Sequence, residues 1–285
     1  MRLFPAWAKV LGIRDVQLVG VDLPLHADPS RYRAVVERIK TGPRELGGLV
    51  TTHKVDLFEA CRDQFDDIDE NAELCAEASS LYKRDGKLVA GATDPISSGR
   101  ALAEFWPQSE PREVLCLGGG GSAVAVTVHL LRRGLAARIT VVNRTAGRLQ
   151  AMRKIHARLQ PTLDIAYVEN SDPAVNDRLI EKLRPGSLVI NATGMGKDRP
   201  GSPITDAAVF PEGGYAWEFN YRGELQFLQQ ARRQAESRGL HVEDGWRYFI
   251  HGWAVVMEQV LQIAIGPDLV ARLSAASETE RPQSF

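Results

Sequence analysis

Lys54 and Asp94 carry complementary charges and each follows a predicted strand, 40 positions apart. An ammonium held by a carboxylate can give or take the proton of an oxygen while hydride is exchanged at the carbon that bears it. Free lysine titrates near ~10.4; burial lowers that value and a neighbouring carboxylate raises it, so the sequence leaves the working value open. A surface lysine and a helix-capping aspartate would look the same. Distance along the chain is no evidence of contact, and both readings stand at this point.

A second group of residues has the chemistry of phosphate binding. The apolar run 114–117 leads without a gap into Gly118-Gly119-Gly120-Gly121-Ser122-Ala123, in the register G-x-G-x-x-A. Gly118 suits the tight turn, Gly120 a close backbone approach to a pyrophosphate, and Ala123 close packing of the following helix on the strand. That helix, from Ser122 to about 133, aims its free N–H groups and positive dipole end at the phosphates, and Gly134 closes it. The next strand, 138–142, ends in Asn143-Arg144-Thr145, where an NAD site normally places a carboxylate for the ribose. Arg144 and Arg148 instead suit a 2′-phosphate, so the expected cofactor is NADP. The competing reading is a structural glycine turn followed by solvated arginines. A third turn, Asn191-Ala192-Thr193-Gly194-Met195-Gly196, follows the strand 188–190 and is expected to line the ligand cleft.

The elements around these turns read as two α/β units. Residues 4–11 have helical apolar spacing, 16–21 read as a strand, and a helix opens at Asp28-Pro29-Ser30. Residues 47–52 read as a strand ending at His53-Lys54, 56–62 and 69–78 as helices, and 80–83 with 87–90 as a hairpin closed by Asp85-Gly86. Residues 95–106 form a crossover helix, and 107–111 the boundary. Beyond 145 the alternation continues: a helix to 159, a strand at 163–168, a helix at 174–183, a strand at 215–220, a helix at 224–238 capped by Gly239, and an apolar helix at 249–265. The polar end from Ser274 is expected to fray. The fold class is therefore α/β: an N-terminal α/β substrate domain, 1–100 completed by C-terminal helices in 240–285, and a doubly wound Rossmann-type NADP domain, 101–239.

The 285 residues carry 35 basic and 36 acidic side chains, a balance that leaves no electrostatic footprint for nucleic acid or an anionic membrane and favours a small-molecule ligand. Three scattered cysteines, Cys61, Cys75 and Cys116, fit neither a disulfide framework nor a zinc site; no metal is expected, and a cytoplasmic location is.

The set GGGGSA, NRTAGR and NATGMG, with upstream VTTHK and ATD, resembles the shikimate and quinate dehydrogenase family in motif order over most of the chain. The resemblance implies a catalytic pair at Lys54 and Asp94. It places cofactor contacts at Asn143, Arg144, Thr145 and Arg148, and at Asn191, Ala192 and Thr193 with Gly194. The implied reaction is reversible NADP-linked oxidation of a ring hydroxyl to a ketone, in a cleft between two domains. Departures from the family concentrate in substrate recognition. The segments 4–13 and 16–23 resemble the family's first helix and second strand, so its carboxylate-binding serine pair has no counterpart. Leu49 and Ala92 stand where the family has asparagine, Phe219-Asn220-Tyr221 replaces Y-x-P, and His251-Gly252 falls where a glutamine is expected. An altered substrate follows, with Thr52, His53, Tyr221 and His251 as candidate contacts and Trp246 as a candidate wall. An open strand edge left by the absent first strand makes a homodimer plausible. An NADP-binding sensor without turnover, and an enzyme of methylenetetrahydrofolate dehydrogenase type, are the alternatives.

Overall fold

The computed structural model describes residues 3–107 and 110–282. The elements run α1 (Phe4–Leu11), α2 (Pro29–Thr41), β1 (Gly47–Leu49), α3 (Lys54–Cys61), β2 (Asp67–Ile68), α4 (Glu70–Cys75), β3 (Ser80–Arg84) and β4 (Lys87–Gly91). They continue with α5 (Asp94–Phe105), β5 (Arg112–Leu117), α6 (Gly121–Arg133), β6 (Ala136–Asn143), α7 (Ala146–Arg158), β7 (Asp164–Glu169) and α8 (Pro173–Glu181). The last are β8 (Leu188–Asn191), β9 (Tyr215–Glu218), α9 (Gln226–Arg232), α10 (Ala235–Arg238), β10 (His241–Glu243), α11 (Trp246–Leu261) and α12 (Pro267–Ser277). The chain divides into two compact units, Met1–Ser97 with Ile250–Arg281, and Ser98–Phe249.

The first unit is built on a mixed sheet of order β1-β3-β4-β2, with β1–β3 and β3–β4 antiparallel and β2 parallel to β4. Its core joins Tyr32, Val36 and Ile39 of α2 to Leu57, Phe58 and Cys61 of α3, and to Leu81, Leu88 and Ala90 of the sheet. The two ends of the chain meet in this unit. The buried Trp7 indole N–H on α1 donates to the Leu273 carbonyl (3.1 Å) and the Ser277 hydroxyl (2.7 Å) on α12. This contact explains why helix continues through Ser277 although the residues from Ser274 are polar: Ser277 is buried and partnered.

The second unit is a six-stranded sheet of order β10-β9-β8-β5-β6-β7, parallel throughout. Alternate residues of the central strands feed two cores: Val114, Cys116, Ile139 and Ile190 on one face, Leu115, Leu117, Val142 and Val189 on the other. Near-continuous apolar strands are what a sheet covered on both faces requires. Strand order reverses between β5 and β8, which makes the carboxyl ends of those strands the topological switch point where such sheets bind ligands.

Several sequence expectations are corrected. Residues 16–21 form no strand: the sheet stops at β1 and offers them no neighbour, and Val19 and Val21 are exposed. The strand expected over 47–52 stops at Leu49, and the chain turns so that Lys54 is the first residue of α3. The helix expected over 224–238 is split at Gln234, whose amide is engaged by the Phe210 N–H and the Ala208 carbonyl. The apolar helix starts earlier, at Trp246, and ends at Leu261, before Gln262 turns left-handed (φ 53°). Strands β2 and β10, two and three residues long, are too short to leave a periodic signal. No helix among the described residues is long and apolar enough to cross a membrane.

Candidate active site

In the first unit Lys54 and Asp94 are in contact: the Lys54 ammonium donates to Asp94 Oδ2. The start of β3 brings them together. Ala78 N–H donates to the Lys54 carbonyl (3.1 Å), and the next residue, Ser79, binds the Thr93 N–H through its hydroxyl (2.7 Å), one residue before Asp94. Lys54 thus opens α3 and Asp94 opens α5, both tied to one short stretch of backbone. The pair is mostly buried, with side-chain exposures of 21% and 14%.

Burial acts to lower the Lys54 pKa, but the charges of Asp94 and Glu77 outweigh it, and the ammonium is held above the ordinary lysine value. At neutral pH the Lys54 side chain therefore carries its proton. Glu77 was not anticipated from the sequence. It lies between α4 and β3 with 6% exposure, and burial, opposed by Lys54 and reinforced by Asp94, pushes its carboxyl up to about 7. No local pattern marks it, because its position depends on the turn out of α4, where Ala76 is left-handed and the Glu77 N–H returns to the Ala72 carbonyl.

The other substrate candidates are not gathered in this way. Thr52 is exposed, and His53 is half-buried with its Nδ1 sharing a hydrogen bond with the Tyr32 hydroxyl (3.1 Å). Tyr32 also donates to Asp56 (3.5 Å), so the histidine is part of a structural cluster beside Lys54. His251 is buried on α11 of the first unit. Tyr221 lies in the second unit, packed on Trp246 and Phe249 with ring centroids 5.8 and 4.6 Å away. Among the described residues no cluster of side chains suits a metal ion.

In the second unit the glycine turn occupies the switch point. Gly118 has φ +120°, and a Cβ there would lie 2.5 Å from the Ala192 carbonyl oxygen, so only glycine fits between β5 and the turn after β8. A Cβ at Gly120 would meet nothing within 4 Å, which leaves open space over the turn. Helix α6 begins there with no side-chain cap, so the N–H groups at Gly121, Ser122 and Ala123 keep the anion-binding geometry of a helix N-terminus. Asn143 donates to the Thr145 carbonyl and hydroxyl (both 3.1 Å), fixing the turn that presents Arg144 and Arg148. Both arginines are exposed. The side chains of Asn143 and Arg148 border Gly119, where a Cβ would come within 3.1 and 3.3 Å of them. Open space, an uncapped helix and two guanidinium groups fit a dinucleotide bearing an extra phosphate.

The turn after β8 is held by a carboxyl that sequence reasoning also missed. Glu218, fully buried at the end of β9, accepts from Asn191 Nδ2 (2.6 Å) and from Asn220 N–H (2.8 Å) and Nδ2 (2.6 Å). Asn191 in turn accepts from the Thr193 N–H (3.1 Å) and hydroxyl (2.6 Å), and the Asn220 amide reaches the Met195 carbonyl (3.1 Å). The only signal available in advance was an acidic residue closing a buried strand.

Burial pushes Glu218 up to about 8 against the pull of these donors. Glu77 and Glu218 then retain protons in the native state that the unfolded chain has released above about 4.5. With more protons bound when folded, stability must fall as pH rises from about 5 to 8. We expect the urea midpoint to drop across that range by the equivalent of about 1–3 kcal/mol, and Glu218→Gln to flatten the slope. A midpoint that rises with pH in the unsubstituted protein would contradict the assignment.

No family model matches this chain. Curated relatives include the NADP(+) shikimate dehydrogenase of Symbiobacterium thermophilum, 28% identical over 226 residues covering 78% of this chain and 74% of the relative. The enzyme of the same name from Exiguobacterium sp. is 27% identical over 259 residues, covering 90% and 86%. Among solved structures, the ligand-free 5-ketofructose reductase of Gluconobacter sp. strain CHM43 superposes with TM-score 0.74 at 21% identity, covering 98% of this chain and 92% of that one. The shikimate 5-dehydrogenase of Thermus thermophilus, in complex with NADP(H) and shikimate, gives TM-score 0.72 at 24% identity, covering 97% and 94%. The α/β fold with its Rossmann-type sheet is thus that of known two-domain dehydrogenases.

Proposed function

We propose that this chain, a divergent relative of the shikimate dehydrogenases, is an NADP-linked alcohol dehydrogenase that interconverts a ring hydroxyl and a ketone. The observation that carries the reading is the direct contact of Lys54 with Asp94 in a mostly buried setting. In the reducing direction Lys54 donates a proton to the carbonyl oxygen as it becomes a hydroxyl; in the oxidising direction it takes that proton back. Asp94 orients the ammonium and keeps it charged until transfer. The nicotinamide cofactor, when bound, would supply the hydride as NADPH in ketone reduction or take it up as NADP+ in alcohol oxidation. Gly118, Gly120 and the first turn of α6 would hold its pyrophosphate, Arg144 and Arg148 its 2′-phosphate, with Asn143 and Thr145 shaping that turn. Asn191, Ala192, Thr193 and Gly194, braced by Glu218, would bound the rest of the dinucleotide site. On this reading substrate is held by residues 1–100 and 240–285, and NADP by residues 101–239.

The curated relatives are named shikimate dehydrogenases, while the Gluconobacter neighbour is named a 5-ketofructose reductase. The test is the appearance of NADPH on mixing the protein and NADP with shikimate, quinate, their amino and deoxy relatives and uncharged cyclic polyols. Turnover on any ring alcohol supports the proposal. Tight NADP binding with no turnover across the panel favours an NADP sensor instead.

A further inference from the structure

Glu77 is a buried carboxyl of the first unit that acts electrostatically on both Lys54 and Asp94 and that the proton-transfer scheme leaves without a task. Three backbone ties put it beside the pair. It directly precedes Ala78, whose N–H is bonded to the Lys54 carbonyl, and Ser79, which is bonded to Thr93 next to Asp94. Its own N–H closes α4 on the Ala72 carbonyl (3.3 Å), so the backbone at Glu77 is fixed on both sides. The titratable groups that face it are Lys54 from α3 and Asp94 from α5. The Cys75 thiol, at the end of α4, acts on the same Lys54 ammonium.

Counting these charges fixes the electrostatics of the place where a substrate oxygen meets Lys54. One ammonium and one carboxylate cancel, so an ionised Glu77 leaves a net negative charge in a setting where water screens poorly. An anionic substrate must either enter against that charge or force Glu77 to take up a proton, whereas an uncharged or cationic one pays neither cost. We propose that Glu77 is a specificity-determining residue that selects, for the reaction at Lys54 and Asp94, cyclic hydroxy compounds without a carboxylate. This rests on the ring-hydroxyl reading above and narrows its substrate class. Burial raises the Glu77 titration into the neutral range, so the selection strengthens as pH rises through it.

The test compares one ring in two charge states. Shikimate and its methyl ester are titrated calorimetrically into the full-length protein saturated with NADPH, a complex that binds the alcohol without turning it over, at pH 5.5 and 8.5. At pH 8.5 the ester is expected to bind about tenfold more tightly than the acid. That ratio should shrink at pH 5.5 and collapse toward unity in Glu77→Gln. A ratio that is the same at both pH values and in both proteins overturns the proposal. If the variant does not fold, the pH dependence of the unsubstituted protein still decides. Binding of neither compound to either form, with NADPH bound, is the distinct result that sinks the ring-hydroxyl reading itself, and this inference with it.

Discussion

Replacing Lys54 by alanine should lower kcat for the ring alcohol by about 10³-fold, within the range that a positioned proton-transfer group contributes, while the Kd for NADPH stays within about twofold. The split follows from where the residues lie. Lys54 is in the first unit, and every residue assigned to the dinucleotide is in the second. Alanine also leaves Glu77 facing Asp94 without a cation, which pushes the Glu77 carboxyl further up and makes the local structure pH-sensitive. Lys54→Met, which keeps the length of the stem, separates lost proton transfer from lost packing. The pH profile gives a second readout: ketone reduction should hold across neutral pH and decline only on the alkaline side, because the ammonium is stabilised by its neighbours. Stopped-flow rates and fluorescence titration of NADPH would check both. A variant that keeps kcat but loses NADPH binding would overturn the assignment.

The second large effect concerns the choice between NADP and NAD. Converting both Arg144 and Arg148 to alanine should raise the Kd for NADP by about 10²-fold, taking roughly 1.5–3 kcal/mol for each charge-assisted contact and allowing for incomplete additivity. NAD affinity should change little. Both arginines are exposed, so they are free to close on a phosphate, and their removal exposes no core. The difference between the cofactors should also shrink with added salt in the unsubstituted protein, as expected of surface charge recognition. Equal losses for NADP and NAD would mean that these side chains support the turn rather than read the phosphate.

The Rossmann-type half was legible because its signals are local: an apolar strand, a glycine turn and a helix follow one another in sequence, and the strand order realises the switch point they imply. The Lys54–Asp94 contact was legible only through resemblance, since it depends on the Ala78 N–H donating to Lys54 and the Ser79 hydroxyl accepting from Thr93, bonds that no periodicity encodes. Glu77 and Glu218 were invisible for the same reason: burial of an acidic residue is a tertiary property. The strand expected at 16–21 failed because a strand is a pairing, and residues with the right alternation still need a neighbour to bond. The helix expected at 224–238 failed at Gln234, whose side chain serves the Ala208–Phe210 segment at the cost of helical continuity.

The first unit is assembled from both ends of the chain, and that has a consequence for synthesis. The sheet of the second unit lies wholly within the continuous stretch Ser98–Phe249 and can fold as soon as that stretch clears the ribosome, whereas the first unit must wait for Ile250–Arg281. At about 5–20 residues per second, the roughly 150 residues between the two parts impose a delay of about 10–30 s. During that interval Trp7 has no Leu273 or Ser277 to receive its indole. The nascent protein therefore completes the sheet that carries the glycine turn before the unit that carries Lys54 and Asp94, and chaperones would meet it as an unfinished N-terminal unit attached to a finished Rossmann-type sheet.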